Sequence, residues 1–193
     1  MIKAIKLSDY AKEALADNWG CIQGTCGMKW TAAKQKALEK TTDPDRVSSR
    51  KYGRQWIGHR VADDAGLISG FFSQHKARMA HSSDALFRNG CQARRTLQGG
   101  RRTDGKPLLP GTAVFNYDTV KGTYYHVGIF IGDGLVIEAG EAQSGVITSK
   151  ITRWGYWGEL KGLDYSKADH VQQAEKQGSG WLAICSPAIW KGA

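Results

Sequence analysis

Between Leu7 and Leu15 the apolar residues Leu7, Tyr10, Ala11, Ala14 and Leu15 recur at three- and four-residue intervals, the period of an amphipathic helix. Ser8 or Asp9 stands where a side chain caps such a helix. The pattern stops near Asn18 and Gly20. The glycines of Gly20-Cys-Ile-Gln-Gly24-Thr-Cys-Gly27 then predict tight turns where backbone passes close to other atoms. Residues 39 to 56 are polar, with a turn at Asp43-Pro44, and read as a connection without a regular element. Periodicity returns at Asp63: Ala65, Leu67, Ile68, Phe71 and Phe72 predict a buried helix whose N-terminus carries Asp63 and Asp64, with Asp63 as its cap.

A loop-rich stretch is expected as far as Gly111. Beyond it the pattern changes to that of strands: Thr112–Tyr117, Tyr124–Ile131 and Leu135–Ala139, separated by Lys121-Gly122 and Gly132-Asp133-Gly134, with a fourth over Gly145–Ser149. Helices followed by hairpin-linked strands predict an α+β fold, a helical part packed on an antiparallel sheet.

Composition adds to this picture without redirecting it. The chain of 193 residues is 41% apolar with seven Trp and seven Tyr, which suits one globular domain over residues 1–193. Neither a secretory leader nor an apolar run of membrane-spanning length is evident. This predicts synthesis in the cytoplasm, with lysis or carriage on a particle as the route to any external target. Cys21, Cys26, Cys91 and Cys185 are expected to be reduced thiols. Their spacing suits neither a redox pair nor a zinc site, and no metal or cofactor is expected.

The formal charge of +9 favours an anionic partner: nucleic acid, a membrane surface or an anionic cell wall. Arg94, Arg95, Arg101, Arg102 and Lys106 flank the turn at Gln98-Gly99-Gly100 and are expected in a solvated loop; without a nucleic-acid-binding motif, nucleic acid is not expected as partner. His59, His75, His81 and His170 have no motif around them and read as structural or surface residues. Trp154, Trp157, Trp181 and Trp190 read as core or groove lining.

Four segments in succession carry a more specific signal: Asp63-Asp-Ala-Gly-Leu67, Pro110-Gly-Thr-Ala-Val-Phe115, His126-Val-Gly-Ile-Phe-Ile-Gly132 and Val136-Ile-Glu-Ala139. They resemble the ordered motifs of the NlpC/p60 family of papain-like cysteine peptidases. Those motifs run Asp-Cys-Ser-Gly-Leu, Pro-Gly-Asp-Leu-Val-Phe, His-Val-Gly-Ile-Tyr-Ile-Gly, and a strand bearing a third polar residue. Trp154-Gly-Tyr-Trp-Gly-Glu-Leu-Lys161 is similar to the ending of phage-type, endolysin-like members, so the resemblance runs from about Leu7 to about Tyr165.

The resemblance implies a papain-like fold and hydrolysis of peptidoglycan stem peptides through a thioester, with bacterial peptidoglycan as partner. In this chemistry a helix N-terminus lowers the pKa of a cysteine thiol, a histidine takes its proton and a third polar group orients the histidine. By position His126 is the base and Glu138 the orienting residue. The nucleophile's position is held by Asp64. A carboxylate does not replace a thiolate in amide cleavage, because its mixed anhydride readily reverts to the amide, so the chain as written is expected to be inactive by this mechanism.

Two alternatives stand beside a silenced peptidase. One is a non-catalytic wall-binding or phage-particle structural protein on the same scaffold. The other is a hydrolase whose nucleophile has moved to Cys21, since Cys21-Ile-Gln-Gly24 fills the segment where the family carries a Tyr beside the nucleophile. An acyltransferase-like relative would need the same missing thiol.

Overall fold

The computed structural model describes residues 1–166. His170, expected as a structural or surface residue, Trp181 and Trp190, expected as core or groove lining, and Cys185, expected as a reduced thiol, lie outside the described residues.

Strands β1 (Ile2–Lys3), β2 (Cys26–Lys29), β3 (Arg60–Ala62), β4 (Cys91–Gln98), β5 (Arg101–Arg102), β6 (Ala113–Asp118), β7 (Thr123–Gly132), β8 (Leu135–Ala139), β9 (Val146–Lys150), β10 (Tyr156–Leu160) and β11 (Leu163–Asp164) are joined by helices α1 (Ile5–Ala16), α2 (Ala32–Glu39), α3 (Val47–Tyr52) and α4 (Asp64–Gln74). Seven strands form one sheet in the order β5-β4-β10-β6-β7-β8-β9, every pairing antiparallel. The α+β architecture read from the sequence is therefore the architecture observed. Strands β6 to β9 fall where alternation placed them.

The sheet divides two apolar layers. On one side α1 and α4 pack through Leu7, Tyr10, Leu67, Ile68, Phe71 and Phe72 against Phe115, Val127, Ile129 and Ile137. On the other, Trp157, Trp154, Phe130, Val136 and Val114 form a smaller cluster. Successive residues of β7 point to opposite faces, so Val127 and Ile129 serve the helical side and Phe130 the other.

Four expectations are corrected. Neither Ser8 nor Asp9 caps α1, which begins at Ile5 with Ala4 at its N-cap and places both residues inside the helix. Residues 39–56 are not a featureless connection: a 3-10 turn (Pro44–Arg46), α3 and a second 3-10 turn (Gly53–Trp56) follow α2 and enclose a third small core of Ile22, Trp30, Leu38, Trp56 and Val61. The stretch before Gly111 contains β4, which pairs with β10. Arg94 and Arg95 accordingly lie on a strand. Arg102 is buried, because its guanidinium lies 3.5 Å over the Trp157 ring and is paired with Asp104 and Glu159. The hairpin turn at Gln98-Gly99-Gly100 is where the glycines put it.

The start of α4 positions the site. Asp63 caps the helix, its Oδ1 accepting from the Gly66 N–H at 2.6 Å, while its Oδ2 accepts from the Gly24 N–H at 2.6 Å. Gly66 is required here, since a Cβ on it would lie 1.8 Å from the Thr25 carbonyl oxygen. The glycine turn after α1 thus packs on the first turn of α4.

Candidate active site

Asp64 is the first residue of α4, where unpaired N–H groups and the helix dipole favour a negative charge. Strands β7 and β8 pair only from Ile129↔Ile137 onward; the Val127 N–H, before that point, is taken by the Asp64 carboxylate. Asp64 Oδ2 accepts from Val127 N at 3.1 Å, from the Ser83 hydroxyl at 2.8 Å and from His126 Nδ1 at 3.1 Å. Burial raises the Asp64 pKa. The bonds from His126, Ser83 and the Ala65 N–H outweigh it and hold the carboxyl below its ordinary range.

His126 sits on β7 with its other nitrogen, Nε2, 2.5 Å from Glu138 Oε2 on β8. Both ring nitrogens face carboxylates, so the ring donates from both as an imidazolium. Burial lowers its pKa, but the hydrogen bonds and charges of Asp64 and Glu138 dominate and raise it from 6.5 to about 9. The Trp154 indole lies parallel to the ring at 5.3 Å, as a π face does against a cation. Burial raises the Glu138 pKa, but bonds from His126 and Ser149 outweigh it and leave that carboxyl lowered. The Trp154 indole N–H donates to Ser149 Oγ at 3.1 Å, beside the hydrogen-bonded row of Glu138, His126 and Asp64.

No family model matches the sequence, and no curated protein matches it. Among solved structures, NlpC1 from Trichomonas vaginalis is similar at 15% identity and a TM-score of 0.50, over 81% of this chain and 44% of that one. NlpC2 from the same organism is similar at 17% identity and 0.46, over 81% and 46%. The P60 domain of an antigen of M. avium subspecies paratuberculosis is similar at 16% and 0.48, over 84% and 98%. This chain has the NlpC/p60 fold. It spans less than half the length of the two Trichomonas proteins.

Within this NlpC/p60 fold, Asp64, His126 and Glu138 come together as one hydrogen-bonded row. Cys21 is buried and belongs to the same core as Ala65. Its thiol is pushed up to about 12 by burial and by the negative charges of Asp63 and Asp64, the reverse of what a nucleophile requires. Cys91 is likewise buried and pushed up to about 12, chiefly by burial, whereas Cys26 is exposed.

Two further residues reach the site without any signal in their own sequence context. Ser83 donates to Asp64, and His81 Nε2 lies 2.7 Å from Asp63 Oδ1. The bond to Asp63 raises the His81 pKa against the opposing effect of burial. Both arrive on the segment after α4, and only the path of that segment brings them near.

A cleft of about 630 Å³ opens beside His126 and Glu138. Tyr125 and Asn116 line it from the β6–β7 hairpin, Trp154 and Arg153 from the turn after β9, and Glu141 and Ser144 from the β8–β9 loop. Among the described residues no group of three His, Cys, Asp or Glu is arranged to hold a metal. Both nitrogens of His126 are already engaged.

Proposed function

We propose that this chain binds peptidoglycan stem peptides in the cleft beside His126 and does not hydrolyse them: an endolysin-like NlpC/p60 scaffold whose peptidase chemistry is silenced at Asp64. The observation that carries the reading is the bonding of Asp64. Its carboxylate stands at the helix N-terminus where the resemblance implies a thiolate, and one oxygen accepts from Val127, Ser83 and His126. An oxygen so engaged is a poor nucleophile, and an imidazolium between two carboxylates holds no free lone pair with which to act as base.

The pKa of Cys21, near 12, weighs against a relocated nucleophile. What remains is a cleft offering the Glu138 and Glu141 carboxylates, the Arg153 guanidinium and the Tyr125 ring to a peptide carrying both amine and carboxylate groups. On this reading the protein acts outside the cell that makes it, after lysis or aboard a particle.

The test is to incubate the chain with purified peptidoglycan and with soluble stem peptides, measure binding by calorimetry and read products by mass spectrometry. Saturable binding of stem peptides without new products is expected. Peptide cleavage by the unmodified chain would sink the proposal, as would the absence of any binding. An Asp64→Cys variant run alongside reports whether His126 and Glu138 still support a thiol.

A further inference from the structure

The positive charge of this chain is unevenly spread. Residues 29–60 carry nine Lys and Arg against three Asp and Glu, and form the lobe of α2, α3 and their flanking 3-10 turns. The lobe has its own core, with the Trp30 indole N–H donating to Gln35 Oε1 at 3.1 Å, so its surface charges stand on a fixed platform.

Two of the lobe's three acids, Glu39 and Asp43, are engaged locally, and Asp45 is exposed. Glu39 pairs with Arg54 at 2.8 Å and accepts from Gln35; Asp43 pairs with Arg46 at 3.3 Å and caps the first 3-10 turn. Among the described residues no carboxylate pairs with Lys29, Lys34, Lys36, Lys40 or Lys51, and all five are exposed. Lys36 and Lys40 stand four residues apart, on one flank of α2 and its C-cap, where like charges repel at a cost to the helix. Such an arrangement is favourable once a polyanion lies across it.

We propose that this lobe binds a phosphodiester polymer of the bacterial wall. Lysines are flexible point charges suited to irregularly spaced phosphates, in contrast to the bidentate fork of arginine. The lobe offers no platform for bases: Trp30 and Trp56 are buried and Tyr52 is half-buried. Its helices, of eight and six residues, present no long element to a duplex groove. The choice of a wall polymer among polyanions rests on the function proposed above.

The lobe also adjoins the cleft. The Trp56 indole N–H donates to the Ala142 carbonyl at 2.6 Å, and the Gln55 amide to Ala142 and Gln143 at 3.1 and 3.2 Å. These bonds hold the loop that supplies Glu141 and Ser144 to the cleft. A polymer on the lobe would tether the chain beside the peptides it reads and raise their effective concentration.

The experiment is co-sedimentation over a salt series with walls retaining their phosphodiester polymer and with the same walls stripped of it by hydrofluoric acid. An oligonucleotide and anionic vesicles serve as competitors. The variant combines Lys29→Gln, Lys34→Gln, Lys36→Gln and Lys40→Gln, with melting temperature and binding of soluble stem peptide measured on both proteins.

Stripping is expected to weaken binding at least about tenfold. The variant is expected to lose a similar factor, with a slope of log affinity against log salt shallower by about 3, at unchanged melting and unchanged stem-peptide binding. Equal affinity for stripped walls, an unaffected variant, or tighter capture by oligonucleotide or vesicle would overturn the proposal. Loss of soluble stem-peptide binding by the unmodified chain would instead overturn the cleft reading, so the two failures are distinguishable.

Discussion

The row Asp64–His126–Glu138 makes stability depend on pH in a direction that can be worked out. The His126 pKa is raised from 6.5 to about 9 in the folded chain. A group whose folded pKa lies above its unfolded value stabilises fully below the unfolded value and loses that contribution as pH rises through the folded one. Stability from this source is therefore complete below about pH 6.5 and gone above about pH 9. The His126 side chain is 22% exposed, so little is discounted for solvent screening, and the difference corresponds to roughly 3 kcal/mol. Asp64 and Glu138 are lowered, so their contribution is present above their unfolded values of 3.8 and 4.5 and declines as pH falls through the folded ones. The combined maximum lies between about pH 5 and 6.5. Denaturant unfolding from pH 5 to 10, on the parent and on His126→Gln, isolates the histidine from the lysines and tyrosines that also titrate in alkali. The parent should lose about 3 kcal/mol more than the variant between pH 6.5 and 9.5. An NMR titration placing the His126 ring near 6.5, or parallel curves for the two proteins, would refute the reasoning.

Removing the Asp64 charge leaves the Val127 N–H without its acceptor and His126 with one carboxylate, so Asp64→Ala should cost about 3 kcal/mol in chemical denaturation. Asp64→Cys, which can ionise at the same helix end, should cost less, and its thiol should alkylate readily below pH 7. Gly66→Ala drives a methyl to 1.8 Å from the Thr25 carbonyl and should destabilise by at least about 3 kcal/mol, or prevent folding, as read by thermal melting and expression. Asp63→Ala orphans the Gly24 and Gly66 N–H groups and should cost about 3 kcal/mol, with the His81 pKa falling toward its ordinary value by NMR. In native alkylation at pH 8, mass spectrometry should find Cys26 modified first, with Cys21 and Cys91 protected until unfolding.

What could be read from the sequence follows from where periodicity is strong. In α4 five apolar side chains share the buried face, and in β7 Val127, Ile129 and Phe130 are all buried, so both elements were legible. Strand β4 was not, because of its eight residues only Cys91 and Leu97 are buried, and its other neighbour, β5, is two residues long. Its exposed positions are Gln92, Arg94, Arg95, Thr96 and Gln98, on both faces, and such a strand reads as a loop. Helix α2 buries only Gln35 and Leu38, and α3 only Ser49, too few to mark a period. At the site, Asp64, His126 and Glu138 were reachable because each sits in a motif. Ser83 and His81 were not: their partners Asp64 and Asp63 lie 19 and 18 residues away, and no local pattern announces that encounter.

On the proposed reading, an aspartate at position 64, where the resembled motif carries a cysteine, is chemically severe and electrostatically mild, and that contrast would account for how the fold accommodates it. A thiolate and a carboxylate are both anions, and the helix N-terminus, the Val127 and Ala65 N–H groups and the His126 ring favour either. The carboxylate differs in having two oxygens and in being the weaker nucleophile. It therefore keeps the charge that the surrounding donors need while withdrawing the electron pair that amide cleavage needs. With a thiol, the imidazole must give up and regain a proton during turnover; between two carboxylates it is held protonated, near pKa 9, and becomes a structural cation. The row Glu138–His126–Asp64, with the Val127 N–H, then ties the strand layer to α4. On the proposed reading, this hydrogen-bonded row beside an open cleft suits recognition of a peptide without its cleavage.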